Sequence, residues 1–323
     1  MKRLFFYFVL FFLFSESSSF FIREKELIIN PYEDINWEKI KRYKANLHTH
    51  TNQSDGKLKP EEVISLYKNK NYSILSITDH NKCVYIYEKE IFLIPGIEIG
   101  ENQHHILGYF KFQIPKNIEN TNEETIIENI SGISIFAHPG RYKKEVEWYV
   151  DLFKKYPNLV GIEVLNPSVQ VKFGKIYGDT DIWDEILKRT MPEKPIWGFG
   201  NDDFHNLEHF SINWIEFLLY RLDEVEVKKA IKNGKFYICS AIKGYDMPFI
   251  KKIIFNKKKG EIKLECDNYK EIRWISDGEV VGHREKINYK ENPDVKKYLR
   301  VEIYGKEGYI YLNPFGINEI ISH

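Results

Sequence analysis

Between residues 44 and 220 short apolar runs alternate with polar, helix-patterned stretches, and six of the apolar runs carry His, Asp or Glu at or near their C-terminal ends. Such alternation is the mark of repeated β–α units. It is a strong constraint, because parallel strands in a β/α barrel deliver their C-terminal ends to one common face, where active sites are assembled. Strands are expected at residues 45–50, 73–78, 91–94, 105–110, 133–136, 160–165, 195–199 and 211–220. Helices are expected from Pro60, which favours a first turn, and at 123–129, 146–156, 182–189 and 222–232.

The first strand ends in His48-Thr49-His50, where positions i and i+2 share one face and both imidazoles can reach one ion. Ser54-Asp55-Gly56 follows as a turn able to return a carboxylate over that strand end. Later strand ends carry Thr78-Asp79-His80, Gly96-Ile97-Glu98, Ala137-His138-Pro139, Ile162-Glu163 and Asp202-Asp203-Phe204-His205, with His104-His105 opening a strand between them. Imidazole and carboxylate donors without thiolate suit Zn, Mn or Fe and are too nitrogen-rich for calcium. The donors outnumber what one ion can use, so two or three divalent ions are expected, with a carboxylate such as Glu98 able to bridge. Asp79 and Asp202 read as groups that orient imidazoles. Glu163 reads either as another such group or as a polar residue lining the barrel mouth. Arg141, three residues after His138, is a candidate phosphate clamp, since guanidinium pairs bidentately with phosphoryl oxygens.

Beyond about residue 246 the texture changes to β-rich runs at 250–255, 261–266, 271–275, 299–304 and 308–312, separated by turn residues. This predicts a small all-β module. At the other end, Lys2-Arg3, an apolar run over residues 4–14 and a cluster of serines match a secretory signal. The run is too short for a bilayer span of about 20 residues. The expected organisation is a signal peptide at 1–20, a linker at 21–43, a metal-binding barrel at 44–245 and a β module at 246–323. Export to the periplasm or the extracellular space follows, and an uncleaved N-terminal segment is the only route to a membrane that the sequence suggests. With 47 basic and 47 acidic residues there is no net positive field of the kind a general nucleic-acid binder needs. Three scattered cysteines do not make a disulfide scaffold.

The run from His48 to Asn81, with His-Thr-His-Thr, Ser-Asp-Gly, the Pro-Glu-Glu helix and Thr-Asp-His-Asn, resembles the PHP (polymerase and histidinol phosphatase) family of metal-dependent phosphoesterases. Gly96-Ile97-Glu98, His105-Ile106-Leu107-Gly108, Ala137-His138-Pro139 and Asp203-Phe204-His205 fall where that family's later motifs are expected. The resemblance implies a distorted seven-stranded β/α barrel of the α/β class with a two- or three-metal site. It implies His48, His50, Glu98 and Asp203 for one ion, Glu98, His105 and His138 for a second, and Asp55, His80 and His205 for a third. The implied reaction is hydrolysis of a small-molecule phosphate mono- or diester by a metal-bridging hydroxide, with Arg141 on the phosphate and His205, if freed from ligation, assisting the leaving group. Two other readings accompany it: a hydrolase of carboxylic or carbamate esters, and a non-catalytic exported metal-binding protein.

Overall fold

The computed structural model describes residues 22–142, 144–167, 179–241 and 246–322, so the signal-like segment at 1–20 lies outside the described residues. In chain order the strands are β1 (Ile22–Ile29), β2 (Lys41–Asn46), β3 (Ile74–Leu75), β4 (Phe92–Leu93), β5 (Gly96–Ile99), β6 (Ile106–Tyr109), β7 (Ile133–Phe136), β8 (Leu159–Leu165) and β9 (Trp197–Gly200). They continue with β10 (Asn213–Leu219), β11 (Phe236–Ala241), β12 (Phe249–Asn256), β13 (Glu261–Asp267), β14 (Glu271–Ser276), β15 (Glu279–Gly282), β16 (Lys286–Asn288), β17 (Tyr298–Tyr304) and β18 (Gly308–Ser322). The described helices are α1 (Pro60–Lys68), α2 (Glu123–Asn129), α3 (Val146–Lys155), α4 (Thr180–Thr190) and α5 (Glu224–Asn233), besides two short 3-10 turns.

A mixed α/β fold is present, but among the described residues the strands do not close into a seven-stranded barrel. They form a large sheet, in which β11, β10, β2, β3 and β4 are neighbours in that order, and a separate five-stranded sheet running β5 to β9. The two sheets meet through isolated parallel bridges, Thr49 with Phe204 and His80 with Glu98. β3 and β4, at the edge of the large sheet's parallel part, are only two residues long.

The strands are not uniformly parallel either. β2–β3–β4 and β7–β8–β9 are, whereas β5–β6, β6–β7 and β10–β2 are antiparallel. The cause at β5–β6 is the link of residues 100–105, far shorter than the dozen or more that a parallel crossover needs.

The segment expected as a linker supplies β1, which pairs along β18 from Ile22↔Ser322 to Ile29↔Gly316. The C-terminal β region is also continuous with the large sheet, since β11 pairs β18, which pairs β17, which pairs β14. Only β12, β13 and β16 form an additional sheet of their own. One buried cluster accordingly holds Phe136, Phe153 and Trp183 together with Tyr298, Tyr309 and Tyr311 from the C-terminal strands. The junction is pinned by Arg300, 3% exposed, whose Nε and Nη2 donate to Asp184 of α4 at 2.7 and 2.6 Å and whose Nη1 donates to Glu302 at 2.5 Å.

No helix among the described residues is long and apolar enough to cross a membrane.

Candidate metal centre

The first strand delivers its histidines just past β2, where Thr49 bridges to Phe204 and the His50 amide donates to the Phe204 carbonyl at 2.8 Å. The turn after it is built for close approach. The Gly56 amide donates to the Thr51 carbonyl at 2.9 Å, and a Cβ at Gly56 would lie 2.5 Å from the His50 carbonyl oxygen. Glycine is therefore what lets Asp55 fold back over the strand end. Two candidate ligands, His138 (φ 29°) and Asp203 (φ 46°), sit in the left-handed region that side chains avoid. Such strain is retained where surrounding structure over-determines it, commonly at functional sites.

These elements bring nine of the residues expected from the sequence to one place: His48, His50, Asp55, His80, Glu98, His105, His138, Asp203 and His205. Glu98 is central and fully buried. Its Oε1 lies 2.9 Å from His105 Nδ1 and 3.0 Å from His138 Nε2. Its Oε2 lies 3.2 Å from His48 Nε2, 3.1 Å from His50 Nε2 and 3.2 Å from His80 Nδ1. Asp203 Oδ1 is 3.1 Å from the same Nε2 atoms of His48 and His50. On the outer side Asp55 reaches His50 Nδ1 at 3.4 Å, His80 Nε2 at 3.5 Å and His205 Nε2 at 3.1 Å.

Three groups of donors converge: His48, His50, Glu98 and Asp203; His50, Asp55, His80 and His205; and His80, Glu98 and His105. His138 shares Glu98 Oε1 with His105 without joining the third group. Although three ring nitrogens crowd it, the buried Glu98 Oε2 has no hydrogen bond among the described residues. A buried carboxylate oxygen left without a hydrogen bond among several converging ring nitrogens fits divalent metal ions. The donor set is nitrogen and oxygen only.

The electrostatics agree. Burial disfavours a charged His48, but the carboxylates of Asp203, Glu163 and Glu98 outweigh it and hold its pKa well above the ordinary imidazole value. Burial likewise opposes protonation of His50, yet the adjacent carboxylates of Asp203 and Glu98 push it up to about 9. The pocket thus has an excess of negative charge that attracts cations, whether protons or metal.

Arg141 reaches the centre differently from a bare phosphate clamp: its Nη2 donates to Asp203 Oδ2 at 2.6 Å. His205 has Nδ1 2.7 Å from the Asp203 carbonyl and Nε2 3.1 Å from Asp55 Oδ2, which puts Nε2 among the outer donors with Asp55 and His80. His104, the neighbour of His105, points away, with Nε2 3.0 Å from the Tyr149 hydroxyl.

The two aspartates expected to orient imidazoles do other work. Asp79 accepts from the Thr51 amide at 2.7 Å and from the Thr51 and Ser54 hydroxyls at 2.6 Å each, fixing the turn that carries Asp55. Asp202 accepts from the Tyr67 hydroxyl at 2.7 Å and from the amides of Ser211, Ile212 and Asn213 at 2.7, 2.9 and 3.0 Å. The carboxylate that touches an imidazole from behind is Glu163, 3.1 Å from His48 Nδ1. His209 and Asn201 were not legible as site residues. His209 Nδ1 lies 3.2 Å from the Asp203 carbonyl, and Asn201 donates to Glu163 at 2.9 Å. Neither falls into a metal-ligand spacing in the sequence.

A family model described as the PHP domain matches residues 46–310. The chain belongs to the PHP family. Among solved structures, a two-domain protein from Bacteroides vulgatus, described as containing a PHP-like metal-dependent phosphoesterase, aligns with TM-score 0.50 at 13% identity, covering 92% of this PHP chain and 98% of its own. A lesion-specific endonuclease from Pyrococcus furiosus aligns with TM-score 0.42 at 17% identity, over 59% of this chain and 56% of its own. An amidohydrolase from Chromobacterium violaceum aligns with TM-score 0.36 at 16% identity, over 50% and 87%. At 13% identity the likeness to the Bacteroides vulgatus protein is one of fold. No curated protein sequence matches the chain. The PHP assignment accords with buried His, Asp and Glu clusters suited to a multinuclear metal site.

Proposed function

We propose that the protein is a metal-dependent phosphoesterase that hydrolyses a small-molecule phosphate ester. The observation that carries this reading is Glu98, one buried carboxylate whose two oxygens lie within 3.2 Å of ring nitrogens from five histidines. A carboxylate so placed is suited to bridge neighbouring ions. His48, His50, Glu98 and Asp203 would hold one; Glu98 and His105, with His80 or His138, a second; and Asp55, His80 and His205 a third. Divalent ions bound there would lower the pKa of water toward neutrality and offset charge on a phosphoryl group.

The chain's own groups supply orientation. Asp79 holds the Thr51–Ser54 turn, and through it Asp55, in place over the strand end. Arg141, held beside Asp203, would pair with phosphoryl oxygens through the N–H fork of its planar guanidinium. The signal-like residues 1–20 support export of the mature protein.

Metal-loaded protein assayed on phosphate monoesters, phosphate diesters and carboxylic or carbamate esters tests the reading. Turnover confined to phosphoesters is expected. Turnover of the acyl esters alone would replace it with an acyl-ester hydrolase, and no turnover at full metal loading would favour a binding protein.

A further inference from the structure

Glu163 belongs to none of the three converging donor groups, yet its carboxylate is fully buried within β8. Four donors surround it. Oε2 accepts from the His138 amide at 3.0 Å and from Asn166 Nδ2 at 2.8 Å. Oε1 accepts from Asn201 Nδ2 at 2.9 Å. Both oxygens face His48 Nδ1, at 3.1 and 3.3 Å.

An ionised carboxylate can only accept, so with a cation among the carboxylates on the Nε2 side the neutral His48 ring keeps its proton on Nδ1, against Glu163, and its lone pair on Nε2. Nε2 is the atom that faces Glu98 Oε2 and Asp203 Oδ1. Glu163 itself sits on the opposite side of that ring and cannot join the same ion through it. The two asparagines that crowd the carboxylate also explain why the residue is glutamate. A glutamine here would press its own NH2 against one of four donors. Asn166 extends the link, donating to Glu163 and, at 3.2 Å, to Asp203 Oδ2.

We propose that Glu163 is a positioning residue of the metal centre: it fixes the His48 tautomer that binds metal through Nε2 and, through the His138 amide, seats a second imidazole beside Glu98. The inference rests on the metal-centre reading above. Carboxylates that accept from the far nitrogen of a ligating histidine raise its basicity and lock its orientation, and their loss costs about 10- to 100-fold in metal affinity.

The test uses zinc as probe on the full chain, with chelator competition for affinity and 15N-histidine NMR for the His48 Nδ1–H of the zinc-loaded protein. Wild type should show that proton in slow exchange and far downfield. Glu163→Gln should bind its most affected zinc about 10- to 100-fold more weakly, with the proton moved upfield, and Glu163→Asp should recover part of the affinity. A folded Glu163→Gln with wild-type zinc affinity and an unmoved resonance would overturn the role. So would zinc bound through Nδ1 of His48 in wild type, a result that needs no variant to fold. Wild type that takes up no zinc, manganese or iron would instead remove the metal-centre reading, and this role with it.

Discussion

The Nε2 atoms of His48 and His50 stand 3.1 Å apart in a fully buried pocket. His48 has committed Nδ1 to Glu163, so its Nε2 carries a lone pair in the neutral ring. Glu98 Oε2 and Asp203 Oδ1 approach the same two nitrogens at 3.1 to 3.2 Å. One shared proton can satisfy a single pair among these four atoms. One cation can satisfy all of them.

Removing the charge of Glu98 should therefore disturb more than one ion. Glu98→Gln presents an amide NH2 to imidazole lone pairs where an anionic oxygen stood. The expected outcome is loss of at least one bound metal and about 100-fold or more in turnover, in line with removing a group that supports transition-state charge. Elemental analysis beside the rate decides it; full metal content in the variant would count against a bridging Glu98.

Stripping the metal should also cost stability. A ligand at 100 times its dissociation constant adds about 2.7 kcal/mol to the folded state. Chelation should lower the unfolding temperature measured by calorimetry, and re-addition of zinc or manganese should restore it. An unfolding temperature indifferent to chelator would mean that the buried cluster is satisfied by protons alone.

The junction with the C-terminal strands offers a test that is independent of metal. Arg300 holds Asp184 through two hydrogen bonds, and Asp184 also accepts from the Tyr298 hydroxyl at 2.7 Å. Arg300→Ala leaves a buried carboxylate without its cation, which costs about 3 to 5 kcal/mol. Urea unfolding should register that loss while the metal content of the folded variant stays unchanged.

Asp179, which accepts from the Gly140 amide at 2.9 Å, gives a pH signature. Burial, reinforced by the Glu163 charge and only partly offset by Gly140 and Arg141, raises its pKa from the usual 3.8 to about 6. Between those values the folded carboxyl keeps a proton that the unfolded one releases, so stability falls as pH rises from 3.8 to about 6 and stays reduced above it. Asp179→Asn should remove this dependence, making the variant more stable than wild type at neutral pH and no more stable below about pH 4. A variant less stable than wild type at pH 7 would show that the Gly140 contact needs the charge.

The centre was largely legible because metal chemistry restricts residue type and spacing. His48-Thr49-His50 must share a face, and Ser54-Asp55-Gly56 must turn tightly. Orienting roles were less legible, because an acidic residue's partners depend on which strands become neighbours. Asp79 and Asp202 adjoin histidines or ligands in sequence, yet they hold turns. Glu163 acquires His48 from 115 residues away. Strand direction was hidden for a similar reason. An apolar run such as Ile106–Tyr109 reads alike in either direction, and its pairing is set by the short link before it. β1 was missed because its partner is β18, at the far end of the chain, and alternating Glu24, Lys25 and Glu26 look like linker until paired.

The most direct test of the central claim is the rate of phosphoester hydrolysis by fully metal-loaded wild type measured beside Asp203→Ala under identical conditions. Phosphoester turnover by wild type, with the variant folded, short of metal and at least about 1,000-fold slower, is the expected result, since metal ions supply both nucleophile activation and charge stabilisation. Equal rates in the two proteins, or no phosphoester turnover by wild type at full metal loading, would contradict it.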